Sequence, residues 1–329
     1  MAEVDRATRV KRELFLRVLM PTKPPPAIAR QLVNVMRERV VEAGEVIYEQ
    51  GTESDEIFFI VDGEVELTSD AEDPWRFTGG SLIGILDVNM QRPRSRTATA
   101  LSRLDILVVR REEWLEIFED NLEYSGQVRS VQAHAVHGMR QELLPDGGFE
   151  PRHLTPEEAL EAAVGEGPLV ERLVALRGSL HLQVASVQAL AELAKRGETV
   201  RAARGEMILR PGGAGRSVYL VVAGIVDVER RVAPEIRAAF GPSDMVLGGA
   251  GYAGALNEYA MTARTDATLL RLTVADFDDV GEDHFDLVRS MLRGMGLERE
   301  QLMNLKARRK RSVAPPAASV PPAAPRKAG

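Results

Sequence analysis

Short apolar runs separated by glycines and charges dominate the chain. Val46-Ile47-Tyr48 is apolar, Ile57 to Val61 is a continuous run, and Gly63 is followed by the alternating Val65 and Leu67. Ile106 to Val109 forms a further run. Runs of this length bounded by turn residues read as strands, and many of them at near-regular spacing predict a sandwich or barrel. Around the strands the period becomes helical. Ala27 to Glu38 and Val184 to Lys195 read as helices. Trp114, Ile117, Phe118 and Leu122 fall at helical spacing, as do Val288, Met291, Leu292 and Met295. Residues 111–144 read as one long helix, with Val128, Val131, Ala135 and Met139 as its sparse apolar positions after Leu122. These either pack on a barrel or the second domain, or serve as a dimerisation or inter-domain lever.

The pattern occurs twice. Gly44-Glu45-Val46-Ile47-Tyr48-Glu49-Gln50-Gly51 matches Gly205-Glu206-Met207-Ile208-Leu209-Arg210-Pro211-Gly212, 161 residues later. Ile57 to Gly63 matches Val218 to Gly224 at the same offset. Near the end of each unit the offset becomes 163, where Ile106 to Val109 answers Leu269 to Leu272 and Trp114 answers Phe277. A drift of this size is what loop insertions produce. Copies this far apart are whole domains rather than solenoid repeats.

The predicted organisation is a flexible N-terminus at 1–13, a first domain with its C-terminal helix at 14–145, a linker at 146–159 and a second such domain at 160–307. Leu144-Pro145-Asp146-Gly147-Gly148 is the breaker cluster that ends the first unit. Thr155-Pro156-Glu157-Glu158 has the form of a capping box. Residues 308–329 form a basic, Pro/Ala-rich tail expected to be disordered.

Size and charge narrow the class. The 329 residues suit two domains. A net charge of −7 argues against a chain-wide nucleic-acid binder. The absence of cysteine removes disulfides, thiolate metal sites and a cysteine nucleophile. Neither a targeting segment nor a run long enough to span a bilayer is found, so a soluble, cytoplasmic protein is expected.

The stretch Gly44-Glu45, Gly51 and Asp55 to Gly63 resembles the opening of the cyclic-nucleotide-binding fold shared by catabolite activator proteins, kinase A regulatory subunits and cyclic-nucleotide-gated channels. The second copy resembles it at Gly205-Glu206, Gly212, Val218 to Val222 and Gly224. The resemblance covers most of residues 15–300. It implies a mainly β chain with flanking α-helices: two tandem β-barrels of the double-stranded β-helix or jelly-roll type, each with N- and C-terminal helices.

It also implies where a ligand would sit. The family's phosphate-binding cassette runs Phe-Gly-Glu, a short helix, then Arg-x-Ala-Thr; the helix N-terminus and the arginine hold the cyclic phosphate, and the glutamate accepts the ribose hydroxyl. In the first repeat Gly84 is retained but Ile85 stands at the glutamate position. Arg96-Thr97-Ala98-Thr99 matches Arg-x-Ala-Thr, making Arg96 the candidate phosphate arginine, with Arg94 and Arg92 offering other registers. In the second repeat the glutamate position falls on Gly248 or Gly249, and the arginine position on Tyr259, ahead of Thr262. Both anchors are missing there. The second repeat is therefore expected not to bind cyclic nucleotides in the usual way, and the first either to bind weakly or to take a different anion.

Other features point less sharply. Arg92, Arg94 and Arg96 read either as an anion site or as a solvated basic loop. The glycine-rich Gly248 to Gly254 lacks the Lys-Ser/Thr ending of a P-loop. His134 and His137, three apart on a helix, lack the carboxylates or thiolates of a metal set. No catalytic motif is present, and no enzyme, metal or obligatory cofactor is expected. The basic run Lys306 to Arg311 is either a solubilising helix end or a contact for nucleic acid, anionic lipid or an acidic partner. No DNA-binding domain is found. The favoured expectation is a regulatory or scaffold protein using degenerate barrels for protein contact, with a homodimer possible. The alternative is a cyclic nucleotide or dinucleotide sensor acting through domain 1.

Overall fold

The computed structural model of the protein describes residues 6–19, 22–143, 169–212, 216–230, 236–246, 248–254 and 258–313. The predicted linker, the breaker cluster and the capping box lie outside the described residues, as does the tail from residue 314.

The strands predicted from the apolar runs form two barrels of identical plan. The first comprises β1 (Arg37–Val41), β2 (Val46–Tyr48), β3 (Glu56–Asp62), β4 (Glu64–Thr68), β5 (Trp75–Thr78), β6 (Leu82–Ile83), β7 (Thr97–Ala100) and β8 (Leu104–Arg110). They make two antiparallel sheets ordered β1-β8-β3-β6 and β2-β7-β4-β5. The second barrel comprises β9 (Glu198–Ala202), β10 (Met207–Leu209), β11 (Ser217–Ala223), β12 (Val226–Arg230), β13 (Ile236–Phe240), β14 (Met245–Val246), β15 (Ala260–Ala263) and β16 (Ala267–Thr273). Its sheets run β9-β16-β11-β14 and β10-β15-β12-β13, the same order strand for strand. Even the irregularities repeat: the β3–β8 ladder slips between Ile60 and Asp62, and the β11–β16 ladder between Val221 and Ala223.

Continuous apolar runs, rather than alternating ones, arise because one sheet of each barrel is covered on both faces. Phe58 and Ile60 point into the first barrel with Val65 and Trp75. Ile57 and Phe59 point outward against helices, with Leu16, Leu32, Trp114 and Phe118. In the second barrel Tyr219 and Val221 face inward, while Val218 and Leu220 meet helices.

The helices are α1 (Arg6–Leu19), α2 (Pro26–Val35), α3 (Ile85–Met90), α4 (Arg111–Glu119) and α5 (Leu122–Leu143) in the first half. The second half has α6 (Val170–Gly178), α7 (Val187–Arg196), α8 (Gly248–Ala253), α9 (Val274–Asp283) and α10 (Phe285–Val313). Three expectations are corrected. The lead at 1–13 is helical from Arg6, because Leu16 is buried and Arg12 reaches Glu38 at 2.6 Å. The long helix at 111–144 is broken at Asp120–Asn121, where the Asn121 side-chain amide donates to the Ile117 carbonyl at 2.7 Å. The tail expected from residue 308 is still helical to Val313.

The two halves interlock. α5 packs on α8 of the other half, α10 packs on α3, and α5 and α10 lie side by side. Ala133 and Val136 of α5 share a cleft with Met291, Met295 and Glu298 of α10. Further along, Val136 and Leu143 cluster with Leu302, and Glu142 meets Lys306 at 3.0 Å. Partners thus advance together along both helices, so the two run parallel. α5 and α10 also begin 163 residues apart, the late offset of the repeat. The molecule is a two-barrel unit with an internal pseudo-twofold, its parallel helices along the axis.

Candidate functional site

In each barrel a short helix follows the sixth strand and leads, by a loop, into the seventh. In the first barrel this helix is α3. Gly84 precedes it with φ +80°, a left-handed conformation, and a Cβ there would lie 2.6 Å from the Arg94 Nη1. Glycine is therefore favoured on backbone grounds, and a side chain would also displace the Arg94 guanidinium.

The loop from Gln91 to Arg96 is fixed by its own polar groups. Asp87, buried in α3, accepts from Arg92 Nε at 2.7 Å and from the Ser95 N–H at 3.2 Å. The Arg94 N–H donates to the Thr52 carbonyl at 2.8 Å, and the Gly51 N–H to the Arg94 carbonyl at 2.8 Å. The Gly51 turn, repeated at Gly212, is thus the strut that holds the arginine loop.

The three arginines have different surroundings. Arg94 is 2 % exposed. Its guanidinium lies over the Tyr48 ring at 4.3 Å and donates to the Gly84 carbonyl at 3.1 Å and the Glu56 carbonyl at 2.6 Å. Its Nε has no hydrogen-bond partner. Arg96 is 3 % exposed and stacks on Trp75 at 3.8 Å. It donates to the Asp73 carbonyl at 2.9 Å and to the Asn304 Oδ1 of α10 at 2.9 Å. Arg92 makes a two-pronged pair with Glu300 of α10, at 2.6 and 3.0 Å. Burial lowers the pKa of Arg94 and of Arg96, though a guanidinium stays charged at any ordinary pH. Burial also pushes the Tyr48 phenol well up, against the pull of Arg94, so it remains neutral.

Of the residues picked out in sequence, Gly84 and Arg94 come together at the start of α3, and Arg96 lies apart from them, beneath α10. Ile85 is buried with Val88, Val288 and Leu292. The side chain at the glutamate position therefore belongs to the seam between the halves. Thr97, Ala98 and Thr99 lie on β7: Thr97 Oγ1 accepts from the Gln50 N–H at 3.0 Å, Ala98 is fully buried in the barrel and Thr99 pairs with Val46.

The second barrel repeats the layout with other chemistry. α8 spans Gly248–Ala253, and Gly248 stands 163 residues after Ile85, the late offset of the repeat. The glycine richness has a packing cause: a Cβ on Gly251 would lie 2.3 Å from the Ser217 carbonyl of β11. Tyr259, the counterpart of Arg96, is buried and meets the His137 ring of α5 edge-on at 6.1 Å. Thr262 pairs with Met207 and Asp227 in its sheet. Gln141 of α5 donates to Glu258 at 3.4 Å, and Glu258 pairs with Arg230 at 2.9 Å. Burial holds His137 below its usual pKa, with Glu258 opposing.

Sequence reasoning passed over Trp75, Asp87, Glu300 and Asn304. A signal existed for the last two. His137 and Gln141 on α5 stand 163 residues before Glu300 and Asn304 on α10. The same two helix positions, one turn apart, enter the cassette of the opposite half in both cases.

No group of three metal-ligating side chains occurs among the described residues, and no helix among them is long and apolar enough to cross a membrane. In the basic run, Lys306 pairs with Glu142 and Arg308 with Glu72, both within the chain.

The family model for the cyclic nucleotide-binding domain matches residues 38–121, so this match falls on the first barrel and α4. A cyclic nucleotide-gated potassium channel of Mesorhizobium japonicum is 31 % identical over 106 residues, which is 32 % of this chain and 29 % of the channel. One of Rhizobium etli is 32 % identical over 77 residues, 23 % of this chain and 21 % of that one. The chain thus spans less than a third of the length of these curated relatives. Among solved structures, the regulatory domain of Toxoplasma gondii PKA with cAMP aligns over 89 % of this chain and 97 % of that one, at 16 % identity and a TM-score of 0.33. A regulatory subunit of a cAMP-independent protein kinase A from Trypanosoma cruzi bound to guanosine covers 85 % of each, at 13 % identity and a TM-score of 0.33.

Proposed function

We propose that this chain, a tandem of two barrels of the cyclic-nucleotide-binding fold, is a non-enzymatic cytoplasmic regulatory protein that works through protein contacts and does not answer cAMP or cGMP in its resting form. One observation carries the reading: the polar groups that would meet a ligand in the first barrel are engaged by the protein itself. Arg96 is held between Trp75, the Asp73 carbonyl and Asn304. Arg92 is held by Asp87 and Glu300. Two absences point the same way. Ile85 offers no carboxylate to a ribose hydroxyl, and Tyr259 offers no positive charge to a phosphate. Leaving a buried hydroxyl or phosphate without its partner costs about 1–3 kcal/mol or more.

The second reading, a nucleotide sensor acting through domain 1, is favoured by the placing of Arg94 beside Gly84 with an unpaired buried Nε. A thermal-shift titration with cAMP, cGMP and cyclic di-GMP separates the two. Ligand at a hundred times its dissociation constant stabilises by about 2.7 kcal/mol, a shift of a few degrees. The regulatory reading expects no saturable shift with any of them. A saturable shift in the unmodified chain would replace it with the sensor.

A further inference from the structure

We infer that α10 is an intramolecular plug, and that the first barrel is a latent site for a phosphate-bearing ligand, closed by Glu300 and Asn304. The inference rests on the reading above for the resting chain and adds what keeps it silent.

Three features carry it. First, Glu300 presents its carboxylate to Arg92 in a two-pronged pair, at 2.6 and 3.0 Å. This is the geometry with which a guanidinium takes a carboxylate or a phosphate, so the side chain occupies an anion's place. Second, Asn304, one turn on, takes the Arg96 donor. Met303 and Ala307 of the same helix pack against the apolar interior of the first barrel. The helix therefore covers both the charged and the apolar part of the mouth. Third, Arg94 keeps an unpaired Nε although it is 2 % exposed. A buried guanidinium donor without an acceptor marks a place where an acceptor is wanted.

The opposite half shows that plugging is a property of the architecture. His137 and Gln141 enter the second cassette from α5 at the positions corresponding to Glu300 and Asn304, and meet Tyr259 and Glu258 there. In that barrel the entering helix supplies an imidazole and an amide, and no carboxylate. Only the first plug mimics a ligand, so only the first site is expected to open to one.

The test uses the full chain. Binding of cAMP, and separately of inorganic phosphate, is measured by calorimetric titration for the unmodified protein, Glu300→Gln, and the double variant Glu300→Ala/Asn304→Ala. Glu300→Gln keeps the shape and removes the charge, so it serves if the double variant fails to unfold cooperatively. The plug predicts at least a tenfold gain in affinity, about one decade in Kd, for cAMP or phosphate in a folded variant. Adding Arg94→Ala should abolish the gain. A preference for cAMP would mark a nucleotide site, and equal binding of both a plain phosphate site. A folded variant that binds neither probe more tightly than the unmodified chain overturns the inference. Saturable binding by the unmodified chain would instead sink the regulatory reading, and leaves the plug to be judged by the gain alone.

Discussion

Single residues show how strongly the seam between the halves is charged. Glu298 of α10 is 6 % exposed and pairs with Arg140 of α5 and with His181 Nε2, the latter at 3.2 Å. Burial alone would raise its pKa; the attraction of Arg140 and the His181 hydrogen bond outweigh this and bring it to about 2, from 4.5. A carboxylate depressed in the folded state contributes stability above its unfolded pKa and loses it as pH falls towards the folded one. The window is therefore about pH 4.5 down to about pH 2, and the contribution roughly 3 kcal/mol. The test is urea unfolding of the unmodified chain and Glu298→Gln across that window. The stability gap between them should shrink by roughly this amount between about pH 6 and about pH 2; a constant gap would show that Glu298 is not the titrating group. Residue-level chemistry was only partly readable in sequence. Gly84, Ile85 and the arginines were found because they sit close together in a recognisable cassette. Glu300 and Asn304 act 208 residues away from Arg92 and Arg96, beyond the reach of any local pattern.

Elements were easier to read than their ends. Runs such as Ile57 to Ile60 announce a strand because both of its faces are buried, and Trp114, Ile117 and Phe118 announce a helix because they share one face. The break at Asn121 was hidden, since a side-chain amide competing for a helix carbonyl leaves no mark on hydrophobic periodicity. What positions α10 was also hidden, because a close approach is not a periodic signal. Gly294 faces the backbone of His181, and a Cβ there would stand 2.5 Å from the His181 Cα. Backbone cannot yield as a side-chain tip can. Gly294→Ala should therefore push α10 off the second half and cost about 1–3 kcal/mol by overpacking, despite the better helix propensity of alanine. Because α10 also carries Glu300, the variant should weaken the plug. Denaturant unfolding measures the first effect and cAMP titration the second; a more stable protein would mean that the helix sits further from His181 than described.

At the scale of the whole molecule, the repeat explains why neither half is complete. The core that buries Leu16, Phe59 and Trp114 of the first half also includes Val288 and Leu292 of α10. The core of the second half includes Ala133 of α5. Each half thus lends its last helix to the other, and the pseudo-twofold makes the chain an internal dimer of related units. The repeat itself was legible, but this exchange was not, because the offset says that two units are alike and nothing about where they touch. Of the apolar positions that sequence left open between dimerisation and inter-domain packing, Val128 and Met139 cluster with residues of α10, Val131 is half-buried and Ala135 is exposed. A consequence can be checked. A fragment ending at residue 143 keeps the first barrel and α5 but loses α8 and α10, which cover part of α5 and of α3. The cheapest way to bury those surfaces is a second copy of itself, with each copy's α5 standing in for α10. The symmetric contact is geometrically available because α5 and α10 already pair in parallel around the pseudo-twofold. By the 163-residue offset Met139 takes the place of Leu302 and Glu142 that of Leu305, so Val136 and Leu143 would meet Met139 of the other copy. In such a dimer His137 replaces Glu300, so the ligand-mimicking carboxylate is gone while Arg92, Arg94 and Arg96 remain. Light scattering should give twice the fragment's mass, and the dimer should bind cAMP or phosphate where the full chain does not. A folded, stable monomer would show that the first half needs no partner, and the exchange of helices would then be a matter of placement rather than of stability.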